Sequence, residues 1–247
     1  MISVLMATNN CNDYLKKAVR SILDQSFEDF ELLVVANGPD AKDIENFLLE
    51  NFSEEKRLVI IKSDIPQLAY ALNVGIEHAK FDYVARMDAD DIAHPERLKL
   101  QLEYLLNNDL DVVGTDIRII NQSEEVTGYK VLPKGSSINK YLPFKNVFVH
   151  PSTLIRKSML IKVRGYNAGF NSEDYDLWLR LKRIGVRWDN MPETLLDYRM
   201  HPGASQRRLL GYAETSGALL REFLLHKSIV NAAAVFFSIL KTLFKAR

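Results

Sequence analysis

Three carboxylates stand at the end of a short apolar run in Tyr83-Val84-Ala85-Arg86-Met87-Asp88-Ala89-Asp90-Asp91. The run reads as a β-strand. In open parallel sheets ligands bind beyond the carboxyl ends of the strands, and the alternate residues Asp88 and Asp90 can turn oxygens toward one hard cation, Mn2+ or Mg2+. The bland alternative makes Asp91 a cap for the next helix and leaves the other two solvated. A second acidic run, Glu173-Asp174-Tyr175-Asp176, opens an amphipathic helix with Leu177, Leu181 and Ile184 on one face. Acids there complement the helix dipole, and an acid beside a metal-bound substrate can also take a proton from an acceptor hydroxyl. The third group is Tyr198-Arg199-Met200-His201, after a strand expected from Thr194. His201 either completes a carboxylate metal site or is an ordinary surface or core histidine. His150-Pro151 shapes a turn.

The elements needed to position these residues are legible as apolar runs alternating with helical patterns, the signature of βαβ units on a mostly parallel sheet. A strand at the amino terminus leads to a helix carrying Tyr14, Leu15, Ala18, Val19, Ile22 and Leu23, with Asn12 or Asp13 as its cap. Strands are predicted at 31–36, 58–61 and 83–87, with a turn at Asn37-Gly38-Pro39 and a helix carrying Leu68, Leu72, Ile76 and Ala79. A further helix is predicted near Pro95, and Val112-Val113 continues the sheet. From about Asp116 to Phe148 the pattern loosens into short strands and loops, the kind of excursion that carries specificity. The fold class is therefore α/β, a mostly parallel central sheet flanked by helices. One body is expected over 1–205, with a helical extension over 206–247.

Thirty-two basic and thirty-two acidic side chains among 247 residues give a formal net charge of zero, which argues against a nucleic-acid binder that works by phosphate neutralisation. The single cysteine, Cys11, excludes an internal disulfide framework. The first seven residues are apolar but lack a basic leader, so they fail as a secretory signal and point to the cytoplasm. No Gly-x-Gly-x-x-Gly, Walker-type loop, Gly-x-Ser-x-Gly or His-Glu-x-x-His occurs, which argues against dinucleotide oxidoreductases, P-loop enzymes, α/β-hydrolases and zincins.

The chain resembles the family-2 glycosyltransferases, inverting enzymes of GT-A fold that use nucleotide-sugar donors. The resemblance spans most of 1–205. It rests on Ala7-Thr8-Asn9-Asn10, Ser21-Ile22-Leu23 with Gln25-Ser26-Phe27, the strand from Phe30 to Val35, Leu72-Asn73-Val74-Gly75, and Asp88-Ala89-Asp90-Asp91 with Pro95 and Arg97-Leu98. It continues in Gly165-Tyr166, Glu173-Asp174 and Tyr198-Arg199. It implies that a metal bridges the donor diphosphate to Asp90, with Asp88 near the ribose or the metal and Asp174 as the base. Ala7, Thr8, Asn37, Asn73 and Arg86 would join Asp88 and Asp90 around the donor, and His201 would join Asp88 and Asp90 on the metal. The chain departs from the family at Ala36-Asn37-Gly38-Pro39, where Asp-Asp-Gly-Ser is common. An amide oxygen at Asn37 can still accept the N3 proton of uracil, so UDP is the expected nucleotide.

After Glu222 there are no acids, and Ile229 to Phe244 is mostly apolar with Asn231, Ser238, Thr242 and Lys245 in one narrow polar stripe. The wide face with Phe236, Phe237, Leu240 and Phe244 suits either the membrane interface, with Lys227, Lys241, Lys245 and Arg247 drawn to anionic lipid, or packing on the protein itself or on a second copy. The first option would place the chain at the inner face of the cell membrane. The function expected is transfer of a hexose or N-acetylhexosamine to a hydroxyl of a glycan or a lipid-linked oligosaccharide in bacterial O-antigen, capsule or exopolysaccharide synthesis. A metal-dependent nucleotidyltransferase and a non-catalytic nucleotide-sugar or glycan-binding module are the alternatives.

Overall fold

Strands β1 (Ile2–Thr8) and β2 (Phe30–Asn37) are buried along their whole length, because both faces of the sheet are covered by helices. In the computed structural model, which describes residues 1–167, 169, 171–201 and 209–245, they pair in parallel with each other. Strands β3 (Leu58–Ser63) and β4 (Tyr83–Asp88) extend this parallel set on either side. Helix α1 (Asp13–Leu23) starts where Asn12 accepts a hydrogen bond from the Leu15 amide at 3.0 Å, and it buries Leu15, Ala18, Val19, Ile22 and Leu23. Helix α2 (Ala41–Phe52) crosses between β2 and β3. It was not among the expected elements, although Ile44, Leu48 and Phe52 recur at helical spacing and are buried. Helix α3 (Leu68–His78) supplies the next crossover.

Beyond β4 the chain adds the short β5 (Ile92–Ala93), then α4 (Arg97–Asn107), which starts two residues after Pro95, and the long β6 (Val112–Ile120). The loosely patterned region resolves into the continuation of β6, the hairpin strand β7 (Val126–Lys130) and the short α5 (Ser136–Tyr141). Strand β8 (Leu154–Arg156) is antiparallel to both β4 and β6, so it joins the two halves of the sheet. After α6 (Lys157–Lys162) comes α7 (Glu173–Arg183), then β9 (Trp188–Arg199), which is longer than expected and parallel to β6. The sheet order is β3-β2-β1-β4-β8-β6-β9-β5, with β7 pairing the later part of β6, Ile117 to Ile120, beyond the two residues that pair with β8.

Helices α8 (Leu209–Leu225) and α9 (Ile229–Lys245) form a hairpin. It is tied to α7 by ion pairs from Arg221 to Asp176 at 2.5 Å and from Arg183 to Glu222. The expected boundary at 205 lies outside the described residues, as do Arg247 and the side chain of Lys245. Among the described residues no helix is long and apolar enough to cross a membrane. Helix α9 is amphipathic, as its residue spacing predicts. Its polar stripe faces α8: Ser238 meets Ser216 at 2.8 Å, and Asn231 donates to the Glu222 and His226 carbonyls. The apolar side is left outward, with Ile229 89% and Phe244 72% exposed.

Candidate active site

The parallel register sets Ala7 opposite Asp88 and Thr8 opposite Ala36, one residue before Asn37. Neighbouring strands lie roughly 4.8 Å apart, so Ala7, Thr8, Asn37 and Asp88 share one carboxyl edge of the sheet. Thr8 closes the turn after β1 by donating to the Asn10 carbonyl at 2.8 Å and accepting from the Asn10 amide. The Asn37 amide is buried and has no hydrogen-bond partner among the described residues. Asn73, expected beside the donor, holds a neighbouring turn. Its amide donates to the Tyr166 carbonyl at 2.8 Å and accepts from the Tyr166 amide at 2.7 Å, so each end makes one bond to the backbone. The same clamp explains Gly165, whose φ of +67° suits glycine and where a Cβ would come within 2.2 Å of the Asn73 oxygen.

Carboxylate oxygens of Asp88, Asp90 and Asp91 lie within 4.8 Å of one another. His201 touches this cluster at Asp90, its Nε2 2.8 Å from Asp90 Oδ2. That separation is a hydrogen bond, and the ligand atoms that close on one another are those of the three aspartates. Asp91 does not cap α4. It is 1% exposed, one oxygen accepts from the Arg199 amide at 2.8 Å, and the other has no partner. Burial, then the charges of Asp88 and Asp90, push its carboxyl well above the ordinary range, and burial and Asp88 likewise raise Asp90. An oxygen-rich cluster whose own charges repel, with a buried orphan oxygen, has the donor chemistry for a hard cation. Arg199 braces the turn from beneath by donating to the Asp90 carbonyl at 2.7 Å and to the Asn121 carbonyl.

Across from this cluster the amino end of α7 presents Glu173 and Asp174. Asp174 is held by the Asn146 amide at 2.6 Å and by the Tyr175 backbone amide at 2.6 Å. Burial raises its carboxyl above the ordinary value in spite of those bonds. Burial and then Asp174 push Glu173 up to about 7. Between the two acidic groups lies Arg86, 2% exposed, paired with Asp88 at 2.5 Å and with two guanidinium nitrogens unpartnered. Beside it, buried His150 meets the Tyr166 hydroxyl at 2.7 Å. Burial and then Arg86 lower its basicity, so His150 is neutral and its part here is structural. Arg86, Asp88, Asn146, Glu173 and Asp174 line one cavity of about 600 Å³ that also reaches Phe144 and Phe237 of α9, which meet edge to face at 6.3 Å.

The sequence gives no sign of Asn146 or Glu214, which reach this site only through tertiary contacts. Glu214, on α8, accepts from the Asn171 amide at 3.1 Å and from the Ser172 hydroxyl at 2.9 Å, so it fixes the chain just before Glu173 and Asp174. Loss of one buried hydrogen-bonding partner costs about 1–3 kcal/mol. Glu214→Ala is therefore expected to lower kcat roughly tenfold with little change in donor affinity, and Glu214→Gln, which keeps an acceptor oxygen, should restore most of it. Equal effects on kcat and on donor affinity would contradict a role through Asp174.

An α/β sheet with an aspartate cluster at its carboxyl edge and a second acid facing it across a cavity is the framework of a sugar-nucleotide transferase. The Glycosyl transferase family 2 profile matches residues 3–164, well over half of the chain, and the chain belongs to that family. It is a glycosyltransferase. It is 43% identical over 99% of its length, and 97% of the relative's, to the O-antigen biosynthesis glycosyltransferase WbnJ of Escherichia coli. It is 27% identical, over 83% of this chain and 76% of the other, to the E. coli UDP-Gal:alpha-D-GlcNAc-diphosphoundecaprenol beta-1,3-galactosyltransferase. The S. aureus TarS 1-349 structure in complex with UDP-GlcNAc superposes with a TM-score of 0.71 at 13% identity, over all of this chain and 81% of that one, a likeness of fold. The expected GT-A architecture is thus the one observed.

Proposed function

We propose that the chain transfers a hexose or N-acetylhexosamine, with inversion, from a UDP-sugar to a hydroxyl of a glycan or lipid-linked oligosaccharide in the synthesis of a bacterial surface polysaccharide. The observation that carries this reading is Asp174 facing Asp88 across one cavity, with Arg86 and its free N–H groups between them. The names of the relatives point the same way: WbnJ acts in O-antigen biosynthesis, and the galactosyltransferase uses UDP-Gal.

In this reading Ala7 and Thr8 border the nucleoside, Asn37 reads the uracil edge, and Arg86 and Asp88 face the donor's diphosphate and ribose. Asn73 holds the Gly165-Tyr166 turn and is left out of the donor set. Asp88, Asp90 and His201 would hold a manganese or magnesium ion, which when bound neutralises charge on the departing diphosphate. Asp174 accepts the proton of the acceptor hydroxyl while that oxygen bonds to the anomeric carbon, and the bonding pair to the nucleotide oxygen leaves with UDP. Attack opposite the leaving group inverts the configuration. A raised carboxyl pKa makes Asp174 a stronger base than a solvated aspartate.

The test is a thermal-shift screen of UDP, GDP, TDP and CDP sugars, with and without manganese, followed by turnover. A ligand at a hundredfold its Kd adds about 2.7 kcal/mol of stability. A manganese-dependent shift with a UDP-sugar, followed by slow release of UDP, is expected. Release of pyrophosphate would establish a nucleotidyltransferase instead, and binding without any turnover a binding module.

The outward apolar face of α9 favours peripheral attachment to the inner membrane surface over packing against the chain's own body. Replacing Ile229, Phe236 and Phe244 together by Ser should abolish co-sedimentation with vesicles containing anionic lipid while leaving the melting temperature within a few degrees. Unchanged co-sedimentation, or a shift from dimer to monomer instead, would reject membrane attachment.

A further inference from the structure

The imidazole of His201 stands two residues past the end of β9, with its side chain 30% exposed. The backbone is held as far as Met200, whose amide donates to the Ile120 carbonyl at 2.9 Å. Beyond that point a histidine ring turns about two side-chain bonds, and its orientation is set by what packs against it. Its Nε2 nevertheless lies 2.8 Å from Asp90. Among the described residues the imidazole has one aromatic neighbour, Tyr14 in the first turn of α1, with ring centroids 5.7 Å apart and planes at 64°. That is the edge-to-face arrangement aromatic pairs prefer.

Tyr14 is itself seated on a fixed group. The buried Arg199 guanidinium lies over its ring at 4.4 Å, a cation–π contact. The phenol hydroxyl reaches the Gln122 carbonyl, in the turn between β6 and β7, only at 3.4 Å, a long bond that adds little. Arg199 is in turn held by the Asp90 and Asn121 carbonyls and by Glu124 at 3.3 Å, and Glu124 pairs with Lys17, three residues after Tyr14. The Tyr14 ring therefore stands between the guanidinium that braces the Asp90 turn and the imidazole that touches the Asp90 carboxylate. Tyr14 does not itself line the cavity, so its effect on the site passes through these neighbours.

We infer that Tyr14 is a positioning residue for the cation site: its ring, seated on Arg199, holds the His201 imidazole in the orientation that brings Nε2 to Asp90. The aromatic ring makes the contribution, and the hydroxyl does not. The inference rests on the reading of Asp88, Asp90 and His201 as the groups that hold manganese or magnesium. Removing a partner that orients a metal-binding imidazole weakens metal binding about 10- to 100-fold, and a packing contact without a hydrogen bond belongs at the lower end of that range. Helix α1 then helps to build the cation site although it supplies no ligand.

Manganese binding to the full chain at saturating UDP, read by electron paramagnetic resonance of free and bound Mn2+, tests this without turnover. In pulsed spectra the bound ion should show the modulation of an imidazole nitrogen. Tyr14→Ala is expected to weaken manganese about tenfold and to lose most of that nitrogen signal, Tyr14→Phe to keep affinity within a factor of about two with the signal intact, and His201→Ala to lose the signal entirely. The double variant Tyr14→Ala, His201→Ala should bind manganese no more weakly than His201→Ala alone, because one residue acts through the other. Should Tyr14→Ala fail to fold, Tyr14→Leu, which keeps bulk over Arg199 but has no aromatic ring, takes its place with the same expectations. Unchanged affinity and signal in that variant, an equal loss in Tyr14→Phe, or effects that multiply in the double variant would overturn the inference while leaving His201 a ligand. A wild type without manganese binding or without the nitrogen signal, or a His201→Ala protein with wild-type affinity, would refute the reading of His201 as a ligand, and this inference with it.

Discussion

Asp174→Asn should lower transfer about a thousandfold, within the range usual for loss of a general base, and leave the Kd of the UDP-sugar nearly unchanged. The substitution keeps the shape of the side chain and one acceptor for the Tyr175 amide, and the Asn146 amide can turn to meet the new donor. What is lost is the lone pair that takes the acceptor's proton. The pH profile gives an independent reading. Asp174 must be ionised to act, and its raised pKa moves the acid limb of activity above the ordinary aspartate range, so rates fall as pH is lowered through that limb. Glu173 titrates at about 7, and its negative charge increases the proton affinity of Asp174. A gain in rate as pH rises through about 7 is expected, and Glu173→Gln should abolish that gain but keep the lower limb. An Asp174→Asn enzyme with wild-type turnover would end the assignment of Asp174 as base.

Asp90→Ala is the second large effect. It removes one oxygen ligand, leaves His201 without its partner at 2.8 Å, and leaves Arg199 bonded to the backbone carbonyl, so the turn itself should persist. Donor binding in manganese should weaken roughly a hundredfold, which at a concentration a hundredfold above the wild-type Kd removes most of the ~2.7 kcal/mol of ligand stabilisation. In EDTA the two proteins should bind UDP alike. A manganese-dependent shift that survives intact in the variant would place the cation elsewhere. Asp91 behaves differently. With one oxygen buried without a partner and its carboxyl pushed well up, Asp91→Asn should be tolerated in folding, since the amide still offers an acceptor to Arg199.

The residues of the site were legible because their chemistry is local. Asp88, Asp90 and Asp91 announce themselves as acids at a strand end, and β1, β2 and β4 as uninterrupted apolar runs, since central parallel strands are buried on both faces. The helix α2 went unread although its Ile44, Leu48 and Phe52 are periodic, because the polar residues between them and the preceding Asn37-Gly38-Pro39 read as turn and loop. From about Asp116 to Phe148 the reading stayed loose for a different reason. Strands β6 and β9 pair in parallel between partners more than seventy positions apart in sequence, with two shifts of register, and no local pattern encodes a partner so distant.

By itself the sequence determined the α/β class, the acidic edge of the sheet, Asp174 at the start of a helix and the amphipathic character of α9, all set by residue type and spacing over a few turns of chain. Only the tertiary structure decided which of those groups meet. It set His201 against Asp90, turned the Asn73 amide onto the Tyr166 backbone, and brought Asn146 and Glu214 to hold Asp174 and the chain before it. It also decided which face of α9 points outward, a choice that periodicity cannot make. A polar stripe is satisfied equally by water or by a polar partner, and here Ser216 and the end of α8 provide the partner, which leaves the apolar face to the surroundings.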